Sequence, residues 1–198
     1  MSDMPSAKLE AAEPADLQRF RACMPFTLAQ ECPHPADWSN PKNFSDDPHD
    51  PGGKTMCGIT QREYDHYRKS RGLPVQDVRK IGAAEGEDIY DKSYWLPDCP
   101  LLPAGLDLCL FDAAVNEGPL QAIKILQAAL GIAADGEWGP RTDAAVKTIG
   151  DVAGVIKAFT ARRSAVYRET RGFQYFGTDW LRRAQEIGGE SLKMAAAA

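Results

Sequence analysis

A carboxyl side chain followed by a long polar segment is the feature of this sequence best suited to chemistry. Glu31 ends a stretch with helical spacing, and a segment rich in Pro, Asp, Asn and Gly then runs from Cys32 to Gly58. Inside that segment lie three further carboxylates, Asp46, Asp47 and Asp50. Cleavage of a glycosidic bond needs a carboxylic acid that is protonated near neutral pH, and usually a second carboxylate. The pattern predicts such a pair, with Glu31 as the acid and Asp47 or Asp50 as its partner.

Other interpretations of the same segment remain open at this point. A glutamate at a helix end is usually only solvated, and Asp50, which precedes a proline, can close a turn through its own backbone. Cys57 with His34 or His49 could instead supply the nucleophile and base of a peptidase, or the histidines could bind zinc. The five cysteines show no short paired spacing of the kind that zinc sites use. We therefore expect reduced thiols, no metal and no cofactor.

Helix-start and helix-stop signals dominate the chain and predict an all-α fold with at most a small β element. Pro14 begins a first helix, which Pro25 should kink or restart. Thr60 and Glu63 fit a capping box, so a helix should begin there and end at Gly72. Short strand pairing is plausible between residues 32 and 58. Further helices are expected near residues 75–80, 85–95, 106–117, 119–130, 140–149, 151–171 and 180–187.

Composition limits the classes of partner. The 198 residues suit one ordinary domain or a domain with a small added lobe, and the net charge of −5 argues against nucleic acid as a general partner. No stretch approaches the roughly 18 apolar residues of a membrane span. The first residues lack the basic and apolar regions of a secretory signal, so synthesis in the cytoplasm without a signal peptide is expected.

Several strings of residues follow Glu31 in an order that resembles glycoside hydrolase family 108. They are DDPHDPGGKTMCGIT at 46–60, IYDKSYW at 89–95, LFDAAVNEGPLQAIKILQAALG at 110–131 and DGEWGPRT at 135–142. The resemblance covers roughly residues 17–187. It implies a lysozyme-like single globule and an N-acetylmuramidase, a phage endolysin type of enzyme that cleaves between N-acetylmuramic acid and N-acetylglucosamine. The family's Glu-Gly-Gly motif is Glu-Cys-Pro here, which puts the substrate geometry in doubt more than the identity of the acid.

The resemblance also implies a division of the chain and a partner. Residues 1–14 would be a disordered lead-in, 15–103 the catalytic part, 104–190 a helical part similar to peptidoglycan-binding segments, and 191–198 a tail. The partner would be peptidoglycan, reached at the cell wall or periplasm through a holin-dependent lysis system or on a virion. The alternative is a peptidoglycan-binding or phage structural module that does not cut.

Candidate substrate-binding residues come from both the resemblance and residue chemistry. Hydroxyl groups can bond to the acid or the sugar, aromatic rings can stack on sugar rings, and a polar pair one turn apart on a helix can face a cleft. For Trp95, packing in the core is the better interpretation, and Thr60 could equally be only a helix cap. The candidates are Thr55, Thr60, Tyr90, Tyr94, Asp112 and Asn116, with Trp138 as a further aromatic residue.

Overall fold

The structure, a computed structural model, describes residues 14–46 and 53–198 and confirms the mainly helical fold. The short elements are single helical turns at Pro41–Asn43, Val78–Lys80 and Cys99–Leu101, and a π-helical stretch at Asp91–Trp95. The α-helices are α1 (Ala15–Glu31), α2 (Gln61–Ser70), α3 (Ala83–Tyr90), α4 (Leu106–Glu117), α5 (Pro119–Ala129), α6 (Pro140–Lys147), α7 (Val152–Glu169) and α8 (Phe173–Ala197). The strands are β1 (Phe44–Ser45), β2 (Thr55–Met56) and β3 (Ile59–Thr60). Within the described ranges, no helix has the length and apolar character needed to cross a membrane.

Helix α1 begins directly after Pro14, as predicted, but it does not restart at Pro25. The helix is continuous through that proline. A proline inside a helix removes one backbone hydrogen bond, so burial of the surrounding face has to compensate for the loss. That face is deeply buried, and its members are Phe20, Cys23, Met24, Thr27 and Leu28. Continuity matters because it carries Glu31, the last residue of α1, to its place beside Arg183 on α8.

The three short strands form an antiparallel sheet in the order β1, β2, β3, which confirms the predicted strand pairing. Strands β2 and β3 are joined by the two residues Cys57 and Gly58, whose φ angles are 47° and 75°. Positive φ at both central residues is typical of the tight hairpin turns that suit the twist of paired strands. We call β2, this turn and β3 the hairpin. Thr60 then caps α2, since its Oγ1 accepts a hydrogen bond of 3.1 Å from the Glu63 N–H, as the capping box predicts.

Helix α4 is the centre of the hydrophobic core. Every residue from Leu106 to Ala114 is buried. The Phe111 ring lies 5.6 Å from the ring of Phe20 on α1 and 5.7 Å from that of Trp95. Helices α1, α5, α7 and α8 all pack on α4. The predicted catalytic and wall-binding parts therefore share one core, while the boundary at residues 103 and 104 stays a prediction.

Helix α8 is much longer than predicted. It runs from Phe173 to Ala197 and so includes nearly all of the residues predicted as a tail at 191–198. Ser191 is fully buried and its Oγ accepts a 3.2 Å hydrogen bond from the thiol of Cys109 on α4. Gly105, just before α4, lies so close to the Ser191 carbonyl that a Cβ there would collide with it. Tertiary packing, together with the high helix propensity of alanine, holds the end of the chain in place.

Candidate active site

Glu31 lies where α1, α8 and the hairpin meet. It is the last residue of α1, and 19% of its side chain is exposed. Its Oε1 accepts a hydrogen bond of 2.6 Å from Nη1 of Arg183 on α8. The predicted acid is thus partly accessible and held in one orientation by a charged donor.

The hairpin turn closes over the other side of the Glu31 carboxyl group. A Cβ built on Gly58 would lie 3.0 Å from Glu31 Oε2 and 3.2 Å from the hydroxyl of Tyr90. The positive φ of Gly58 is a second reason for glycine at this position. Because Arg183 holds Oε1, Oε2 is the oxygen that remains beside the turn.

A disulfide links Cys32 to Cys57, so the expectation of reduced thiols is wrong for this pair. The bond joins the residue after Glu31 to the residue before Gly58. A cysteine nucleophile at Cys57 is thereby ruled out, because its sulfur is already bonded. The cysteine that replaces glycine in the family's Glu-Gly-Gly motif therefore has a structural role, since Cys32 links the end of α1 covalently to the hairpin. The other three cysteines are free and buried, as predicted: Cys23, Cys99 and Cys109.

Arg183 belongs to a line of alternating charges that we call the charge chain, consisting of Glu31, Arg183, Asp112, Arg163 and Glu117. The carboxylate of Asp112 accepts bonds of 3.0 and 2.9 Å from Arg183 and 2.7 Å from Arg163. Arg163 also donates to Glu117 at 2.6 Å. Burial alone would raise the pKa of Asp112, but the two guanidinium groups outweigh it and hold that pKa below its usual range.

Residues 39–118 match the family model described as Glycosyl hydrolase 108. The predicted resemblance is confirmed over that segment, which contains the hairpin and α4. Glu31 and Arg183 lie on either side of it. The match indicates a glycoside hydrolase.

A solved structure extends the likeness over most of the chain. Brucella abortus SagA is 28% identical in sequence, and the alignment covers 90% of this chain and 97% of SagA with a TM-score of 0.73. No curated protein is significantly similar to the chain in sequence. The likeness to SagA therefore includes helices on both sides of the family 108 segment.

Within the family 108 segment, two predicted sugar contacts have other roles. Asp112 is completely buried, so it offers no surface to a sugar and instead positions Arg183. Tyr90 is 1% exposed, and its hydroxyl donates a 2.8 Å bond to the Cys57 carbonyl, which supports the hairpin turn. Direct substrate contact by these two residues is a wrong prediction, because burial removes the necessary access.

Other candidates of the family 108 segment keep accessible surface. Tyr94 is half-buried beside Tyr90, with ring centroids 5.8 Å apart, and its hydroxyl donates a 3.0 Å bond to Glu63. Asn116 is also half-buried, and its Oδ1 accepts a 2.6 Å bond from the hydroxyl of Tyr167 on α7. Both can still reach a ligand from where they lie.

The two threonines stand opposite each other in the hairpin. Thr55 and Thr60 are register partners in β2 and β3 and are half-buried. The Thr60 hydroxyl is used in capping α2. Asp47 and Asp50, the predicted second carboxylates, lie outside the described residues, so their part in the site stays a prediction.

The remaining aromatic and motif predictions fall outside the Glu31 site. Trp95 is buried in the core, in line with the packing interpretation, and Trp138 is half-buried. Near the end of α5, Gln127 is buried, and its amide donates to Asp135 at 2.7 Å and to Thr142 at 3.0 Å. That glutamine thus shapes the loop between α5 and α6.

Sequence reasoning missed Arg163 and Arg183, because an arginine on a helix usually lies on a solvated face. A signal was present for Arg163. It continues the apolar stripe of α7 at helical spacing, after Ile156 and Phe159 and before Tyr167, and all four are buried. A charged residue on a buried stripe needs a charged partner. Glu63 was recognised only as a cap, although burial raises its pKa against the lowering effect of the Tyr94 hydrogen bond.

Proposed function

We propose that this protein is a peptidoglycan hydrolase of the N-acetylmuramidase type, which cleaves the glycan strand between N-acetylmuramic acid and N-acetylglucosamine. One observation carries the proposal. The partly exposed Glu31 carboxyl group is held between Arg183 and the Gly58 turn, next to a segment that matches glycosyl hydrolase family 108.

The two oxygens of Glu31 would have different tasks. Oε1 is bonded to Arg183, which fixes the plane of the carboxyl group. Oε2, beside Gly58, would carry the proton and give it to the glycosidic oxygen as the C–O bond breaks. The electron pair of that bond stays with the leaving sugar, whose oxygen gains the proton.

The anomeric carbon must then receive water. A second carboxylate can activate a water molecule across a gap of about 6.5–9.5 Å, or attack the carbon itself from about 5–5.5 Å. We propose Asp47 or Asp50 for this task, on the basis of the sequence. No cofactor enters either route, since positioned carboxylates and water are sufficient.

Peptidoglycan lies outside the cytoplasm, so a protein that acts on it has to reach the cell wall. We propose synthesis in the cytoplasm followed by release through a holin, or carriage on a virion, with action at the cell wall. The wall-binding part would be residues 104–190.

The test is digestion of purified sacculi by the wild type and by Glu31→Gln, with released fragments identified by mass and by their reducing ends. We expect the wild type to release fragments that end in reducing N-acetylmuramic acid, and the variant, still folded, to release none. Glu190→Gln is the matched control, because it makes the same change on the surface of α8 in an exposed pair with Lys193. It should cleave like the wild type.

A second outcome would point to a different function. Arg183 and Glu31 form an ion pair, in which the positive charge of the guanidinium group balances the negative charge of the carboxylate. This observation favours the alternative, a binding or structural module without activity. If the wild type binds sacculi but releases no fragments, the hydrolase proposal fails and the binding module replaces it.

A further inference from the structure

A pocket lies at the Glu117 end of the charge chain, the opposite end from Glu31. Its volume is about 360 Å³, within the usual range for small-molecule sites. One part of its wall is aromatic, from Tyr167 and Trp180, and another is polar, from Asn116, Glu117 and Gln121. Among the residues that were predicted to bind substrate, Asn116 is the one that lines it.

The aromatic wall is part of a stack of three rings that is buried at Tyr167 and exposed at Phe176. The centroids of Tyr167 and Trp180 are 5.5 Å apart with an interplanar angle of 31°, and Phe176 continues the stack 5.8 Å from Trp180 at 36°. Phe176 is 56% exposed and Trp180 half-buried. Gly172 leaves room for this stack, since a Cβ there would lie 2.9 Å from the Trp180 ring. Aromatic surface of this kind packs well against the C–H face of a pyranose ring, which is flat and apolar.

The polar wall contains a mostly buried carboxylate beside two accessible amide side chains. Glu117 is 9% exposed, and its Oε1 is bonded to Arg163. Its Oε2 is buried and has no hydrogen-bond partner among the described residues. The Tyr167 hydroxyl, which is close by, gives its proton to Asn116 instead. Burial keeps that oxygen from a ligand, so the accessible polar groups of this wall are the side chains of Asn116 and Gln121.

The charge around the pocket favours a neutral ligand. Arg163 and Arg183 are already bonded to Asp112, Glu117 and Glu31, so neither guanidinium is left for a phosphate or carboxylate. A ligand with an apolar face and several hydroxyl and amide groups fits both walls.

The pocket shares helices α4 and α8 with the charge chain that leads to Glu31. Trp180 precedes Arg183 by three residues on α8, a rise of about 4.5 Å along the helix axis. Asn116 follows Asp112 by one turn on α4. The pocket thus begins about one helical turn from the residue that holds the Glu31 carboxyl group.

We propose that this pocket is a sugar subsite that binds one N-acetylhexosamine unit of the glycan strand. The ring stacks on the aromatic wall, and its hydroxyl and N-acetyl groups bond to the amide side chains of Gln121 and Asn116. The inference rests on the proposed function for its substrate class.

The test measures binding separately from cleavage. The full chain with Glu31→Gln is titrated with N-acetylglucosamine tetramer and hexamer, which carry no peptide, by calorimetry and tryptophan fluorescence. Adding Trp180→Ala should raise the dissociation constant about tenfold, and adding Gln121→Ala should raise it severalfold. Tyr175→Ala is the matched control, an aromatic residue of α8 that is 75% exposed and outside the pocket wall. It should leave binding unchanged.

The outcomes separate the two proposals. Unchanged affinity in both the Trp180 and the Gln121 variants would overturn the subsite, as would Trp180-dependent binding of a stem peptide that lacks sugar. If the wild type releases nothing from sacculi but the oligosaccharides bind in a Trp180-dependent way, the subsite stands and the hydrolase proposal fails. Circular dichroism of each variant establishes that it is folded.

Discussion

Replacing Asp112 by asparagine removes the negative charge at the centre of the charge chain while it keeps the size of the side chain. Asp112 is fully buried and accepts three hydrogen bonds of 2.7 to 3.0 Å from Arg163 and Arg183. An asparagine would point an N–H group at a guanidinium donor and leave positive charge uncompensated in the core.

The expected loss of stability is large. Removing one partner of a buried ion pair costs about 3–5 kcal/mol in the free energy of unfolding. In a protein of this size, each kcal/mol lowers the melting temperature by about 2–4 °C, so the fall should be roughly 6–20 °C. Cleavage should decrease as well, because Arg183 loses the anchor that aims it at Glu31.

The assay is urea unfolding at pH 7, followed by tryptophan fluorescence and by circular dichroism. The control is Asp143→Asn, since Asp143 pairs with Lys147 on the surface of α6, where the two side chains are 41% and 71% exposed. An exposed pair of this spacing contributes about 0.3–0.5 kcal/mol. If Asp112→Asn loses less than about 1 kcal/mol, the charge chain does not support the fold as argued here.

The pH dependence gives an independent check. The pKa of Asp112 is lower in the folded protein than its ordinary value near 4. Its contribution to stability is therefore complete above about pH 4 and is lost as the pH falls through the folded-state pKa. The stability gap between wild type and Asp112→Asn should be full at pH 7 and should shrink below about pH 4. A gap that stays constant down to pH 2 would contradict the assignment.

Three further perturbations test the surroundings of Glu31. Gly58→Ala should lower the free energy of unfolding by about 1–2 kcal/mol, because the φ angle at this position is positive. It should also slow the clearing of sacculi suspensions, because the new methyl group would press on Glu31. An unchanged melting temperature and an unchanged rate of clearing would contradict this prediction. Reducing the Cys32–Cys57 bond, which spans 25 residues, should lower the free energy of unfolding in urea by about 3 kcal/mol. The stability of Cys57→Ser should not change when reductant is added. Burial raises the pKa of Glu63, so the wild type loses stability as the pH rises and this carboxyl group ionises in the folded protein. The melting temperature of Glu63→Gln, relative to that of the wild type, should therefore be higher at pH 7 than at pH 4. An equal difference in melting temperature at the two pH values would refute the reasoning.

The parts of the fold that the sequence predicts well depend on neighbours in the chain. The start of α2 follows from Thr60 and Glu63, three residues apart, and prolines mark the starts of α1, α5 and α6. Capping and proline geometry act within one turn, so local sequence is sufficient. The end of α8 also had a local signal, since alanine has the highest helix propensity of all residues.

The parts that sequence reasoning missed depend on distant contacts. Arg183 bonds to Asp112 across 71 residues and to Glu31 across 152. Its chemical type is the same as that of a solvated arginine, and only the packing of α8 on α1 and α4 decides its environment. The pairing of Cys32 with Cys57 has the same origin, because five cysteines at irregular spacing do not specify which two will meet.

The bond between Glu31 and Arg183 has a consequence for the order in which the chain is made. The ribosome synthesises Glu31 first, and the guanidinium that fixes its carboxyl group follows 152 residues later. A nascent or prematurely terminated chain carries the acid without the group that orients it. A chain that stops before Arg183 therefore lacks an assembled acid, although it contains Glu31.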